Sequence, residues 1–269
     1  MSHSGWWRLL IVLAVMSNLT ACTLPAVKLQ NQAREFGFIH QGLSANGLVL
    51  SAFYKDLKTK TLHVYLEGDG HPWEQGVLPA SDPTTRSSLM LPLMALDNSS
   101  SLYLGRPCYN GHAEDSGCDS SLWTNARYGE QVISSMAIAV TDFCRRNGFD
   151  QWVLIGHSGG GSLAILLAER LPQTTALVTL AANYDIDVWA DHHHYTRLTA
   201  SKNPAAASNM GIPEWHFLAE KDATIPPHLF FQALKNRKNS QVEIIPDIDH
   251  NSGWDKVWPK ILAKLSTNQ

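Results

Sequence analysis

An α/β fold with a mostly parallel central sheet and helices on both faces is what this sequence predicts, on three observations. Segments such as 151–156 (QWVLIG) and 175–183 (TALVTLAAN) are continuous apolar runs, the pattern of strands buried on both faces. Stretches with apolar residues at helical spacing separate them. One strand also runs straight into a helix through Gly-His-Ser-Gly-Gly-Gly, residues 156–161, a costly place for a serine unless something needs it there.

Taken in order, 47–55 and 61–68 read as the first two strands of the sheet. Residues 86–97 read as a helix broken by Pro92, and 100–107 as a short strand. Residues 127–148 carry apolar residues at helical spacing and close on Arg-Arg-Asn-Gly, a stop signal. After strand 151–156 comes a helix over 161–172, ended by Pro172, and then strand 175–183. Segment 214–222 (a strand over 214–219), a helix from Pro227 to Lys238, strand 241–247 and helix 255–266 complete the chain. Residues 183–212 break the alternation. They are expected to form a small lid-like excursion over the carboxyl edge of the sheet, where ligands bind in such folds.

The first residues follow different rules. Arg8, the apolar run 9–16 (too short to span a bilayer) and small residues before a cut site have the form of a secretory signal over 1–21. Leu19-Thr-Ala-Cys22 resembles the lipobox of bacterial lipoproteins. The resemblance implies that Cys22 is lipidated, with palmitate-type acyl chains, and becomes the mature N-terminus. Thr23 in place of an aspartate implies the periplasmic side of the outer membrane rather than the inner one. Residues 22–44 are then expected to be an N-terminal tether and 45–269 a single domain. Export agrees with Cys108 and Cys118 flanking a polar loop, which in an oxidising compartment form a disulfide or else remain two free thiols. A net charge of −3 and a pI near 6.4 leave no basic footprint for nucleic acid. No cofactor is called for, and no metal site: His192, His193 and His194 are consecutive, cannot readily face one ion, and are expected in lid or structural roles.

Gly156-His157-Ser158-Gly159-Gly160 is G-x-S-x-G between a strand and a helix, the context of a nucleophile elbow. It resembles the elbow of α/β-hydrolase-fold serine hydrolases, whose chain order is serine, acid, histidine. Asp222 follows a strand and precedes Thr-Ile-Pro-Pro. His250 follows the last strand and precedes the last helix. Asp185 is the alternative acid. Asp247 and Asp249 are too near His250 in sequence to orient its ring and suit turns, and Glu220 comes two residues early. His216 sits in a strand pattern as a core residue, His228 suits a helix start, and His157 is expected in a structural role. The oxyanion hole is expected from the Gly159 N–H and from the Asp69 N–H in Glu67-Gly-Asp-Gly70, with Gly70 as the other possible donor.

A narrower resemblance runs from about residue 45 to the end. The chain is similar to a group of small bacterial hydrolase-like proteins carrying, in this order, YLEGDG..W (from Tyr65), GRPCY (from Gly105) with a later Cys118 and Trp123, RY (Arg127–Tyr128), GHSGGG (from Gly156), NP (Asn203–Pro204) and A..D..IPP (from Ala219). The resemblance implies an α/β-hydrolase fold. It also implies acyl transfer with Ser158 as nucleophile, His250 as base and Asp222 as its orienting acid; the expected substrate is a carboxylic ester, from a small molecule or a lipid, and a thioester or peptide bond would use the same triad. Glu-Gly-Asp-Gly departs from the His-Gly of many esterases and puts an extra acid near the reacting carbonyl. The competing expectation is an envelope lipoprotein that keeps the fold for binding or assembly and has no catalysis.

Overall fold

The computed structural model describes residues 24–266; the export signal, the lipobox and Cys22 lie outside the described residues. One eight-stranded sheet organises the chain: β1 (Ile39–Ala45), β2 (Leu48–Lys55), β3 (Thr61–Leu66), β6 (Ser101–Leu104), β7 (Gln151–His157), β8 (Thr174–Leu180), β9 (Glu214–Ala219) and β10 (Ser240–Ile245), in the spatial order β1-β2-β6-β3-β7-β8-β9-β10. From β6 onward every pairing is parallel; β2 pairs antiparallel with both β1 and β6. The segments at 47–55 and 61–68 were expected as the first two strands of the sheet; β1 precedes them, and β6 lies between them in space. A further two-residue hairpin, β4 (Trp73–Glu74) with β5 (Leu78–Pro79), stands apart from the sheet.

Both faces are covered. On one, α3 (Glu130–Asn147), α4 (Gly159–Ala168) and α6 (Pro227–Lys235) pack Val132, Phe143, Leu163 and Phe230 onto Leu50, Leu102 and Leu154. On the other, α1 (Pro25–Glu35), α2 (Met90–Ala95) and α7 (Trp254–Ser266) bury Leu29, Met90, Trp254 and Trp258 against Tyr103, Val153 and Phe217. Alternate side chains of one strand therefore serve different cores, which is why the central strands are apolar throughout. Gly148 ends α3 in the left-handed conformation at φ +76, the stop its sequence signalled. Pro92 is the third residue of α2, where its missing N–H has no intrahelical acceptor to lose. The helix is shorter than expected, but the proline does not break it.

Residues 22–44, expected as a tether, are folded from residue 25 onward. Helix α1 buries Ala26, Leu29 and Ala33, and β1 adds an edge strand through seven register pairs with β2. The excursion at 183–212 also contains order, with helix α5 (Ile186–His193) and a 3-10 turn at Pro204–Ala206. Cys108 and Cys118 form a disulfide; closing a loop of that length contributes about 3 kcal/mol. Cys144 is a buried free thiol, and burial pushes it up to about 12, so it stays protonated.

Candidate active site

The parallel strands end on one edge of the sheet, and the loops there carry the residues picked from the motifs. Strand β7 passes into α4 through Ser158, whose backbone sits at φ 52, ψ −123, a region L-residues rarely adopt. The flanking glycines make the turn possible. A Cβ on Gly156 would meet the Gly160 carbonyl oxygen at 2.2 Å, and one on Gly160 would meet the Leu66 carbonyl oxygen at 2.2 Å. The turn thus lifts Ser158 onto the wall of a cleft of about 940 Å³.

His250, between β10 and α7, brings Nε2 to 3.0 Å from Ser158 Oγ. Its Nδ1 lies 2.7 Å from Asp222 Oδ2. The tautomer that satisfies both contacts donates from Nδ1 to the carboxylate and accepts at Nε2 from the serine hydroxyl. Asp222 cannot swing away, because its Oδ1 accepts from the N–H groups of Thr224 (2.8 Å) and Ile225 (2.7 Å). Three side chains up to 92 positions apart in sequence thus form one chain of hydrogen bonds at the cleft wall.

The alternatives fall elsewhere. Asp185 caps α5, accepting from the N–H groups of Asp187 and Val188, and also from the Asn203 side chain at 2.7 Å. Asp249 caps the turn at Asn251 and Ser252, Asp247 pairs with Lys221, and Glu220 accepts from the Asp247 N–H. His216 is buried between Glu214 and Thr179. Of the histidine run, His193 bonds the Thr224 carbonyl, His192 packs against His228 and His194 lines the cleft.

Two partnerships were not visible in the sequence. The first belongs to His157, expected in a structural role: it lies within hydrogen-bond distance of the His250 carbonyl oxygen, Nε2 to O 2.8 Å, and the Trp254 indole N–H donates to the same oxygen at 3.1 Å. Burial, with the His250 ring beside it, lowers the His157 pKa to about 3. The ring is therefore neutral, and its Nε2–H donates. A proton that binds the unfolded chain below about 6.5 is refused by the fold down to about 3. Stability should thus be complete above pH 6.5 and fall as the pH drops toward 3, by at most about 1.4 kcal/mol per unit from this group. Urea midpoints at pH 7 and pH 5 check it. A His157→Gln variant, which can still donate to the carbonyl but does not titrate, should lose less stability between those two pH values than the wild type.

The second is the setting of Asp69. Its carboxylate receives Arg106 Nη2 at 2.8 Å, Arg127 Nη1 at 2.9 Å, and the Tyr128 hydroxyl at 2.7 and 2.8 Å. Burial pushes the acid up, but the two guanidiniums and the phenol outweigh it and hold the carboxyl down at about 2. The extra acid of Glu-Gly-Asp-Gly is thus ionised and more than neutralised. Glu67 spends its carboxylate on the Ser88 hydroxyl and the Met90 N–H, and burial raises its pKa.

The cleft is lined by apolar residues, among them Pro72, Trp73, Val77 and Leu89, and by polar ones that include Asn125 and Arg127. No protein-family model matches the chain, and no curated relative does. Many solved structures do. An esterase of Pyrococcus furiosus, Pf2001, superposes with a TM-score of 0.63 at 13% identity, over 87% of this chain and 91% of that one. A structure described as a putative lipase from Acinetobacter baumannii AYE gives 0.64 at 14%, over 94% and 100%. A bacterial membrane phospholipase A gives 0.64 at 13%, over 97% of each chain. Sheet order, elbow and these likenesses lead to one conclusion: this chain has the α/β-hydrolase fold.

Proposed function

We propose that the chain is a serine hydrolase that cleaves carboxylic esters through an acyl-enzyme on Ser158. The hydrogen-bonded series Ser158–His250–Asp222 is the observation that carries the reading. Ser158 Oγ gives its proton to His250 Nε2 and bonds the ester carbonyl carbon. The carbonyl oxygen becomes an oxyanion facing the N–H groups of Gly159 and Asp69. Asp222 holds the ring in place and balances the charge of the imidazolium. The C–O bond to the alcohol then breaks, and the alcohol oxygen takes the proton from Nε2. Water repeats the sequence on the acyl-enzyme: it yields a proton to His250, and Oγ leaves protonated with the acid released. The place of Ser158 at the start of α4 favours the developing negative charge.

Labelling with a fluorophosphonate probe tests the reading. The wild type should label and Ser158→Ala should not. A wild type that never labels favours the second reading, a binding or assembly module on the same fold. Hydrolysis of p-nitrophenyl esters of increasing chain length identifies the acyl group that the cleft accepts.

Lipid anchoring through Cys22 belongs to the same proposal, with the domain held in the bacterial envelope, on the periplasmic face of the outer membrane, and acting on lipid or small-molecule esters. It rests on the sequence of residues 1–22. Among the described residues no helix is long and apolar enough to cross a membrane. Cys22→Ser should shift the protein from the membrane fraction to the soluble periplasmic fraction; a variant that stays with the membrane refutes the anchor.

A further inference from the structure

We propose that Arg106, Arg127 and Tyr128 are positioning residues of the oxyanion hole: they clamp the Asp69 peptide so that its N–H faces the reacting carbonyl, and leave a net positive charge behind it. The inference rests on the serine-hydrolase reading above and deepens it.

The clamp holds Asp69 at both ends. Its carboxylate is gripped by three groups, and its carbonyl accepts the Tyr109 hydroxyl at 3.0 Å. With side chain and carbonyl both fixed, the orientation of the residue is fixed as well. Next to it, Gly70 at φ +68 has no room for a side chain, since a Cβ would meet the Pro83 carbonyl oxygen at 2.3 Å. The loop therefore has little freedom to turn the Asp69 N–H aside. Among the described residues neither this N–H nor that of Gly159 has a protein acceptor, as donors reserved for a substrate oxygen require.

The cluster also lies directly against the second donor. A Cβ built on Gly159 would stand 1.8 Å from Asp69 Oδ1 and 2.4 Å from the Tyr128 hydroxyl. Two guanidiniums against one carboxylate leave one positive charge at this spot. Arg106 is buried, and its Nε and Nη1 have no hydrogen-bond acceptor. In a setting poor in water a fixed charge of that sign favours an oxyanion far more than it would in solvent. Stability alone is a weak reason to keep such a cluster, because buried ion pairs rarely outperform apolar packing of the same volume. The clamp also gives a role to motif residues that the triad leaves unused: Arg106 and Tyr109 of GRPCY, and Arg127 and Tyr128 of RY.

Steady-state kinetics on p-nitrophenyl butyrate, with affinity for a trifluoromethyl ketone that mimics the tetrahedral adduct, tests the clamp. Arg127→Gln should lower kcat by about 10²-fold and weaken the ketone by a similar factor, with KM within about threefold. Arg127→Lys, which restores the charge, should recover most of the loss. Tyr128→Phe, which removes a hydroxyl and little volume, should act in the same direction by about tenfold, and decides the matter if Arg127→Gln does not fold. A folded Arg127→Gln that keeps wild-type kcat and ketone affinity, or whose loss lies in KM, overturns the clamp. So does a folded Tyr128→Phe with unchanged kcat. A wild type that neither labels at Ser158 nor turns over ester removes the hydrolase reading itself, an outcome distinct from loss of the clamp alone.

Discussion

Replacing Ser158 with alanine is expected to lower kcat for ester hydrolysis by about 10⁴- to 10⁶-fold and leave the fold standing. The loss is large because the Ser158 hydroxyl oxygen is the one protein atom in the proposed mechanism that bonds carbon. Without it, His250 can at best activate water, and the oxyanion donors stabilise a slower reaction. The fold survives because alanine meets the same backbone demand at φ 52 as serine. It loses one hydrogen bond, to His250, and that ring stays held by Asp222 and by the two donors on its carbonyl. The comparison is made by stopped assays at high enzyme concentration, with circular dichroism to show that the variant is folded. A folded Ser158→Ala protein that retains wild-type turnover would place the nucleophile elsewhere.

Asp222→Asn is expected to cost about 10⁴-fold in kcat. The amide keeps the shape of the site but offers no negative charge to the imidazolium. It can also present its N–H₂ to His250 Nδ1, which favours the tautomer that donates toward Ser158 rather than accepting from it. Asp185→Ala is the control. Its carboxylate caps α5 and binds Asn203, so the loss is a helix cap of about 1 kcal/mol, with kcat nearly unchanged. If Asp185→Ala loses activity as severely as Asp222→Asn, the assignment of the acid fails. Thermal midpoint and kcat measured on both variants separate the two roles.

Much of this site was legible because its signals are local. Ser158 is marked by glycines whose absence of side chains the turn requires. Asp222 and His250 each stand just past an apolar strand and just before a helix signal. What was not legible depends on partners far apart along the chain. Nothing near Asp69 announces Arg106 or Arg127, although both lay in motifs already noted. His157 shows no sign in sequence that it serves a carbonyl 93 residues away. The fold divides in the same way. Buried central strands declare themselves by continuous apolar runs. Strand β1 (IHQGLSA) alternates weakly around Gly42 and is mostly exposed, because it lies at the edge. Helix α1 buries only small or single apolar residues, so its composition resembles a polar linker.

That helix has one more consequence. Thr23 and Leu24 are the only residues between Cys22 and Pro25, the first residue of α1; the span from Cys22 is at most about 10 Å. Leu29 and Ala33 fix α1 to the body of the protein, and Lys28 Nζ reaches the Arg86 carbonyl in the segment whose Thr85 and Ser87 border the cleft. With Cys22 acylated, the molecule would ride close on the lipid surface, its opening near the headgroups. A lipid ester would then arrive by lateral diffusion in two dimensions, and the rate would follow its surface density, a quantity that a water-soluble chromogenic ester does not sample.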